Sequence, residues 1–142
     1  MKNLSNSLVK DPGQKAQNVH SITDSILDND SESIIRRHLR SFQDNDLDIL
    51  LCDYTNESVL VTQEATYVGV DNIKSFFIEL VRNFPKGKSR FELDKFEVND
   101  DLVFIVWHGK TPNLEVSFGT DTFVIKEGKI RQQTFAGQLT FL

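Results

Sequence analysis

An α+β fold, with a curved antiparallel sheet wrapped around three helices as an open cone, follows from three observations. Before Pro85 the apolar residues recur mainly at helical spacing. After it they alternate along four strands. Three helices cannot cover both faces of a four-strand sheet, so the sheet must curl around them and leave a mouth. The chain has 142 residues, 39% hydrophobic and 26% charged, which suits one globular domain. At that length about two-thirds of the unfolded surface is buried without metal or disulfide staples.

Residues 1–28 are rich in Asn, Ser, Asp, Lys and Gln and contain the breaker Asp11-Pro12-Gly13. They are expected to form a mobile leader. The helical spacing of Val19, Ile22 and Ile26 leaves one short helix as the alternative. The domain is expected over residues 29–142. Asn29 and Glu32 have capping-box spacing, and Ile34, Ile35, Leu39 and Phe42 share one side of the helix that follows. Asp46-Leu47-Asp48 restarts a short second helix with Leu47, Leu50, Leu51 and Tyr54 as its apolar set. Glu57 to Thr62 and Ala65 to Val68 read as two short strands. Asp71 can cap a third helix, whose stripe is Ile73, Phe76, Phe77, Leu80, Val81 and Phe84. Pro85 and Gly87 stop it.

The rest is β. Phe91 and Leu93 alternate in one phase, Phe96 and Val98 in the other. Such a slip predicts a β-bulge near Asp94-Lys95, which bends the strand. Leu102 to Lys110 is a second long strand, and Pro112-Asn113 turns the chain into Leu114 to Lys126. Glu127-Gly128 then makes a two-residue hairpin turn into Lys129 to Phe141. The uncovered sheet face is expected to carry Val116, Phe118 and Val124 in one phase. An exposed apolar face invites a second copy, so a homodimer through the outer sheet face is expected.

Several function classes are disfavoured. Sixteen Lys and Arg against 21 Asp and Glu give a net charge of −5, which argues against nucleic acid or an anionic membrane as the main partner. No apolar run approaches the roughly 18 residues of a membrane-spanning helix. Met1 to Lys15 holds only Leu4, Leu8 and Val9 among polar residues, without a signal peptide's apolar centre. A cytoplasmic, reducing setting is therefore expected for Cys52, and the sequons at Asn3, Asn29 and Asn56 are expected to be accidental. A single cysteine excludes an intramolecular disulfide and a multi-thiolate zinc site. Asp44, Asp46 and Asp48 start like a calcium loop, but Ile49 stands where glycine is needed and Thr55 where glutamate is needed. His20, His38 and His108 show no metal-ligand spacing, and no Gly-rich phosphate loop is present, so no metal is expected.

The element order, together with Asp46-Leu47-Asp48, Thr120-Asp121-Thr122-Phe123 and Lys126-Glu127-Gly128-Lys129-Ile130, resembles the nuclear transport factor 2-like superfamily. The likeness is greatest to its SnoaL-like and ketosteroid-isomerase-like branch and covers about residues 30–142. It implies a nuclear transport factor 2-like (cystatin-like) cone. The superfamily includes isomerases, cyclases, dehydratases, hydrolases and non-catalytic binders. Carried over from the Asp46-Leu47-Asp48 anchor, the steroid isomerases' helix-1 tyrosine donor falls on His38 and their general-base aspartate on Thr62. Their second aspartate matches Asp121 once a short gap is allowed. Threonine cannot serve as that base, so steroid isomerisation by that mechanism is not expected.

Asp121 sits mid-strand, where aspartate is disfavoured and needs a reason. Pointing into the cone, it would have a raised pKa suited to acid–base work or hydrogen-bond donation; otherwise it is a structural carboxylate. His38 falls on or beside the buried face of the first helix, where an imidazole can shuttle protons or simply be a satisfied core group. Trp107 and His108 are adjacent on a strand and must face opposite sides. The resemblance puts Trp107 inside with Val103 and Ile105 and His108 outside; an anchoring error of one residue would exchange them. Gln133 shares the phase of Phe135 and Gly137, and Tyr54 can offer its hydroxyl at the cavity rim.

The expected function is a small-molecule-binding domain for an apolar or aromatic ligand. As an enzyme it would be a cofactor-free isomerase, dehydratase or cyclase acting by proton transfer. Asp121 would be the acid/base or oxyanion donor and His38 its partner, with Trp107, Phe77, Phe135, Gln133 and Tyr54 around the ligand. The alternative is a non-catalytic ligand-binding or dimerising accessory module.

Overall fold

The computed structural model describes residues 30–142. The expected leader and the Asn29 cap lie outside the described residues. Helix α1 (Ser31–Gln43) is capped by Asp30, whose Oδ1 accepts the Ser33 N–H at 2.8 Å. The cap is thus one residue later than expected. Glu32 falls at the second helical position and pairs with Arg36 at 2.9 Å instead of closing a capping box. Ile34, Ile35, Leu39 and Phe42 are buried as the period requires. Asp46 caps the short α2 (Leu47–Leu51), accepting from the Ile49 N–H at 3.3 Å.

A hairpin of β1 (Val59–Val61) and β2 (Thr66–Val68) follows, both strands shorter than expected. Helix α3 spans Val70–Arg82. Its cap is Gly69, at φ 86° with no side-chain bond, so Asp71 lies inside the first turn and complements the helix dipole there rather than capping. Asn45 ties the helices together: its amide donates to the carbonyls of Phe42 (3.2 Å) and Phe84 (2.9 Å), and its Oδ1 accepts the Lys86 N–H at 2.8 Å.

Strands β3 (Arg90–Asn99), β4 (Leu102–Lys110), β5 (Leu114–Lys126) and β6 (Lys129–Phe141) form the meander. Glu127 and Gly128 turn β5 into β6 with φ of 53° and 76°, both positive as a type I′ turn demands. The sheet order is β2-β1-β6-β5-β4-β3. All pairings are antiparallel except β1 with β6, which is parallel. The early hairpin thus extends the late meander into one curved, unclosed six-strand sheet. Ser58 helps hold this junction: its buried hydroxyl donates to the Ile130 carbonyl at 2.6 Å and accepts the Thr55 N–H. The concave side closes on Ile34, Ile35, Ile73, Leu60, Ile105 and Phe123, all essentially inaccessible. Each such side chain contributes roughly 1.5–3 kcal/mol by leaving water.

The register slips between Leu93 and Lys95, at the expected bulge. A second slip, between Val116 and Phe118, corrects the sequence reading of the outer face. The extra residue changes the strand's phase, so Val116 is buried in the concave side while Phe118 stands 53% exposed on the convex one. Phe118 and the half-buried Val124 remain on the convex side, with Phe104 and Val106 of β4 opposite Thr122 and Thr120. His108 also faces outward, with Nδ1 2.8 Å from Asp94 Oδ2. That hydrogen bond raises its pKa from the ordinary histidine value.

Candidate functional site

Five parts of the chain bring polar side chains into an otherwise apolar cone. Helix α1 turns His38 inward one turn after Ile34, and the ring is only 3% exposed. It is held edge-on by Tyr54, Phe77 and Phe123, with ring centres 5.6 to 5.9 Å away. The segment after α2 supplies Asp53 and Tyr54, one for each ring nitrogen. Asp53 Oδ2 lies 3.0 Å from His38 Nδ1, and the Tyr54 hydroxyl lies 3.3 Å from Nε2. That hydroxyl is also 2.5 Å from Gln133 Oε1, to which it donates. Gln133 Nε2 donates to Asp121 Oδ2 at 2.9 Å, and Trp107 Nε1 donates to Asp121 Oδ1 at 2.9 Å.

Strand pairing explains the second half of this arrangement. Trp107 of β4 is opposite Gly119 of β5, and Asp121 is the next residue on that face. The indole lies across Gly119 to reach the carboxylate: a Cβ at position 119 would stand 2.8 Å from Trp107 Cε2 and 3.0 Å from its Nε1. Only glycine leaves that space. Gln133 of β6 is opposite Phe123, on the same face as Asp121 and diagonal to it.

Asp121 is 8% exposed. Burial raises its pKa from 3.8 to about 6; the hydrogen bonds from Trp107 and Gln133 and the charge of His38 pull the other way. Desolvation wins, so the carboxyl can both hold and release a proton near neutrality. Tyr54 is pushed well above the ordinary phenol value, first by burial and then by the Asp121 and Asp53 charges. It stays a neutral hydroxyl.

His38, Asp121, Gln133, Trp107, Phe77 and Phe135 all line one cavity of about 40 Å³. Phe76, Leu80, Phe91 and Phe135 are the half-buried hydrophobic residues of its wall. The free space suffices for a few waters; a larger ligand requires some of these side chains to turn. Trp107 rather than His108 faces inward. Tyr54 is not at the rim, since its hydroxyl is enclosed between His38 and Gln133. His38 and Asp121 share no hydrogen bond; Tyr54 and Gln133 stand between them. Thr62 lies in the β1–β2 turn, where its Oγ1 accepts the N–H groups of Glu64 and Ala65.

Sequence reasoning missed Asp53, which has no motif around it. Its pairing with His38 across 15 residues depends on how α1 meets α2. Among the described residues, no group of three or more His, Cys, Asp or Glu could hold a metal ion. No helix among them is long and apolar enough to cross a membrane.

No curated protein matches this sequence. Among solved structures, the epoxide hydrolase/cyclase-like enzyme SalBIII of salinomycin pyran-ring formation is 14% identical at a TM-score of 0.66, covering 79% of this chain and 95% of its own. An NTF2-like protein of unknown function from Mesorhizobium loti is 18% identical at 0.65, with 87% and 97% covered. A protein designated a SnoaL-like polyketide cyclase, from Shewanella denitrificans, is 13% identical at 0.63, with 76% and 90% covered. At such identities the likeness is one of fold, the nuclear transport factor 2-like cone. The SnoaL-like domain model matches residues 35–133, most of the chain and every residue of the buried polar chain. By that match and that fold, the chain belongs to the SnoaL-like domain family of the nuclear transport factor 2-like superfamily.

Proposed function

We propose that this domain binds a small apolar or aromatic carbonyl compound and moves a proton on it without a cofactor, as an isomerase, dehydratase or cyclase does. One observation carries the reading: a buried carboxyl with a pKa near 6 in the wall of an apolar cavity. Asp121 is the acid/base. Its Trp107 and Gln133 bonds occupy one lone pair on each oxygen, and the Gln133 amide keeps a second N–H. A carboxylate beside an amide donor suits abstraction of a proton next to a carbonyl whose oxygen takes that N–H. Phe77, Trp107 and Phe135 would exclude water and set the ligand's plane. The names of the SalBIII and polyketide-cyclase neighbours agree with such chemistry in those proteins.

The small free volume of the cavity favours a second reading, a filled cone acting as a dimerising accessory module. In both readings the domain is a homodimer through the convex sheet face, where Phe118 is exposed. The free cysteine, Cys52, is exposed and fits a reducing, cytoplasmic setting.

The test is a screen of small carbonyl compounds, reading binding by Trp107 fluorescence and proton exchange by deuterium incorporation next to the carbonyl. Wild type should bind and exchange, while Asp121→Asn should bind and not exchange. Exchange that survives the substitution removes Asp121 from the chemistry. Binding without exchange in wild type leaves a non-catalytic binder, and no binding at all leaves the accessory module.

A further inference from the structure

The buried chain from His38 to Asp121 is one hydrogen short unless a titratable group supplies it. Three contacts make up the chain: His38 Nε2 to the Tyr54 oxygen (3.3 Å), that oxygen to the Gln133 amide (2.5 Å), and the amide to Asp121 Oδ2 (2.9 Å). Each needs one hydrogen. The Tyr54 hydroxyl supplies one and the Gln133 amide another. The third must sit on His38 Nε2 or on Asp121 Oδ2; with neither protonated, one contact sets two acceptors face to face in a buried site, which is costly.

Two complete arrangements exist. In the first, His38 Nε2–H donates to Tyr54, Tyr54 donates to Gln133 Oε1, and Gln133 Nε2 donates to the Asp121 carboxylate. Because Nδ1–H is committed to Asp53, the ring is then an imidazolium. In the second every bond runs backwards. Asp121 O–H donates to Gln133 Oε1, the turned amide donates to Tyr54, and Tyr54 donates to Nε2 of a neutral His38. Amide oxygen and nitrogen are nearly the same size, so the turn asks only that the 2.5 Å Tyr54–Gln133 contact open by a few tenths of an ångström to the length of an N–H···O bond. Hydrogen count and net charge are equal in the two arrangements.

We propose that His38 and Asp121 hold a single proton in common, passed between them by reversal of the Tyr54–Gln133 bridge, with Asp53 fixing Nδ1. In the net step the imidazolium Nε2–H bond breaks and the Asp121 O–H bond forms. Tyr54 and Gln133 end with the hydrogens they began with, and nothing is oxidised or reduced. The titratable groups acting on the chain are its own members: His38 acts on Asp121, and Asp121 and Asp53 act on Tyr54. The inference deepens the acid/base reading of Asp121 and rests on it only for its use in turnover. It lets one site offer a base and an acid at the same total protonation, and it makes Gln133 and Tyr54 positioning residues.

The experiment needs no substrate. Imidazole ¹⁵N spectra of the full chain report the protonation of each ring nitrogen, with His38 assigned by its loss in His38→Gln and the outward-facing His108 as internal control. Asp121→Asn supplies a permanent N–H at the far end of the bridge. It should therefore move His38 Nε2 to the position of an unprotonated ring nitrogen and leave His108 unchanged. In the Gln133→Leu background, or in Tyr54→Phe if that variant does not fold, Asp121→Asn should no longer move His38. The proposal is overturned if Asp121→Asn leaves His38 unchanged, or if the same change persists with the bridge cut, which would mark direct charge coupling. Coupled spectra without turnover of any carbonyl compound would remove the enzymatic reading alone. Turnover that depends on Asp121 with an uncoupled His38 would remove the shared proton alone.

Discussion

Replacing Asp121 by asparagine should make the protein more stable near neutral pH and leave it nearly unchanged in acid. The side chain is 8% exposed and its pKa rises from 3.8 to about 6 on folding. A folded-state pKa above the unfolded one means that the native state binds the proton more tightly. Between those two values the native protein is protonated and the unfolded chain is not, so stability falls as pH rises. Below about pH 4 both states are protonated and the contribution of burial is absent. Above about pH 6 both are ionised, and the wild type carries the full cost of a buried carboxylate. A shift of about two pH units corresponds to about 3 kcal/mol. Asparagine carries no charge at either pH, keeps an oxygen for the Trp107 N–H, and offers its own N–H to Gln133. The gap between variant and wild type should therefore widen by about 3 kcal/mol from about pH 4 to pH 7.5. For a domain of this size that is on the order of 10 °C in Tm. Urea denaturation of both proteins across that range, followed by circular dichroism, measures it. A gap that stays constant with pH would refute the raised carboxyl. A gap that narrows with rising pH would mean a carboxylate stabilised by its partners, the opposite balance of desolvation and hydrogen bonding.

Two further outcomes follow from packing. Gly119→Ala places a methyl 2.8 Å from the Trp107 ring; the indole must shift, with a destabilisation of about 1–3 kcal/mol and loss of its bond to Asp121. Trp107 is the chain's only tryptophan, so its emission and near-ultraviolet circular dichroism read that shift directly, and an unchanged spectrum would contradict the placement of the ring. Phe118→Asp puts a charge on the convex face, where Phe118 is 53% exposed, and should convert the proposed dimer into a monomer by light scattering. The same mass in both proteins would exclude that interface.

The legible parts of this molecule were those governed by short-range rules. Helical and alternating periods, Pro85, and the Glu127-Gly128 turn set the element order and the long strands β4 to β6 to the residue. The phase slip of Phe91/Leu93 against Phe96/Val98 located the first bulge, because two apolar pairs flank it. The bulge at Ser117 has no such mark: Val116 and Phe118 are both apolar in one apparent phase, and only their partners across the sheet decide which is buried. Where one cap residue competes with another, as Asp30 and Gly69 did with Asn29 and Asp71, local sequence also underdetermines the start of a helix. A mid-strand aspartate and a histidine on an apolar helix face were visible as anomalies. Their relation was not, since a hydrogen bond depends on distances of a few tenths of an ångström between elements far apart in the chain. The sequence by itself determined an apolar cone and marked His38 and Asp121 as its anomalous polar pair. Only the tertiary structure decided that Asp53, Tyr54, Gln133 and Trp107 complete it, because buried donors and acceptors must be matched across elements whose relative placement no local pattern encodes.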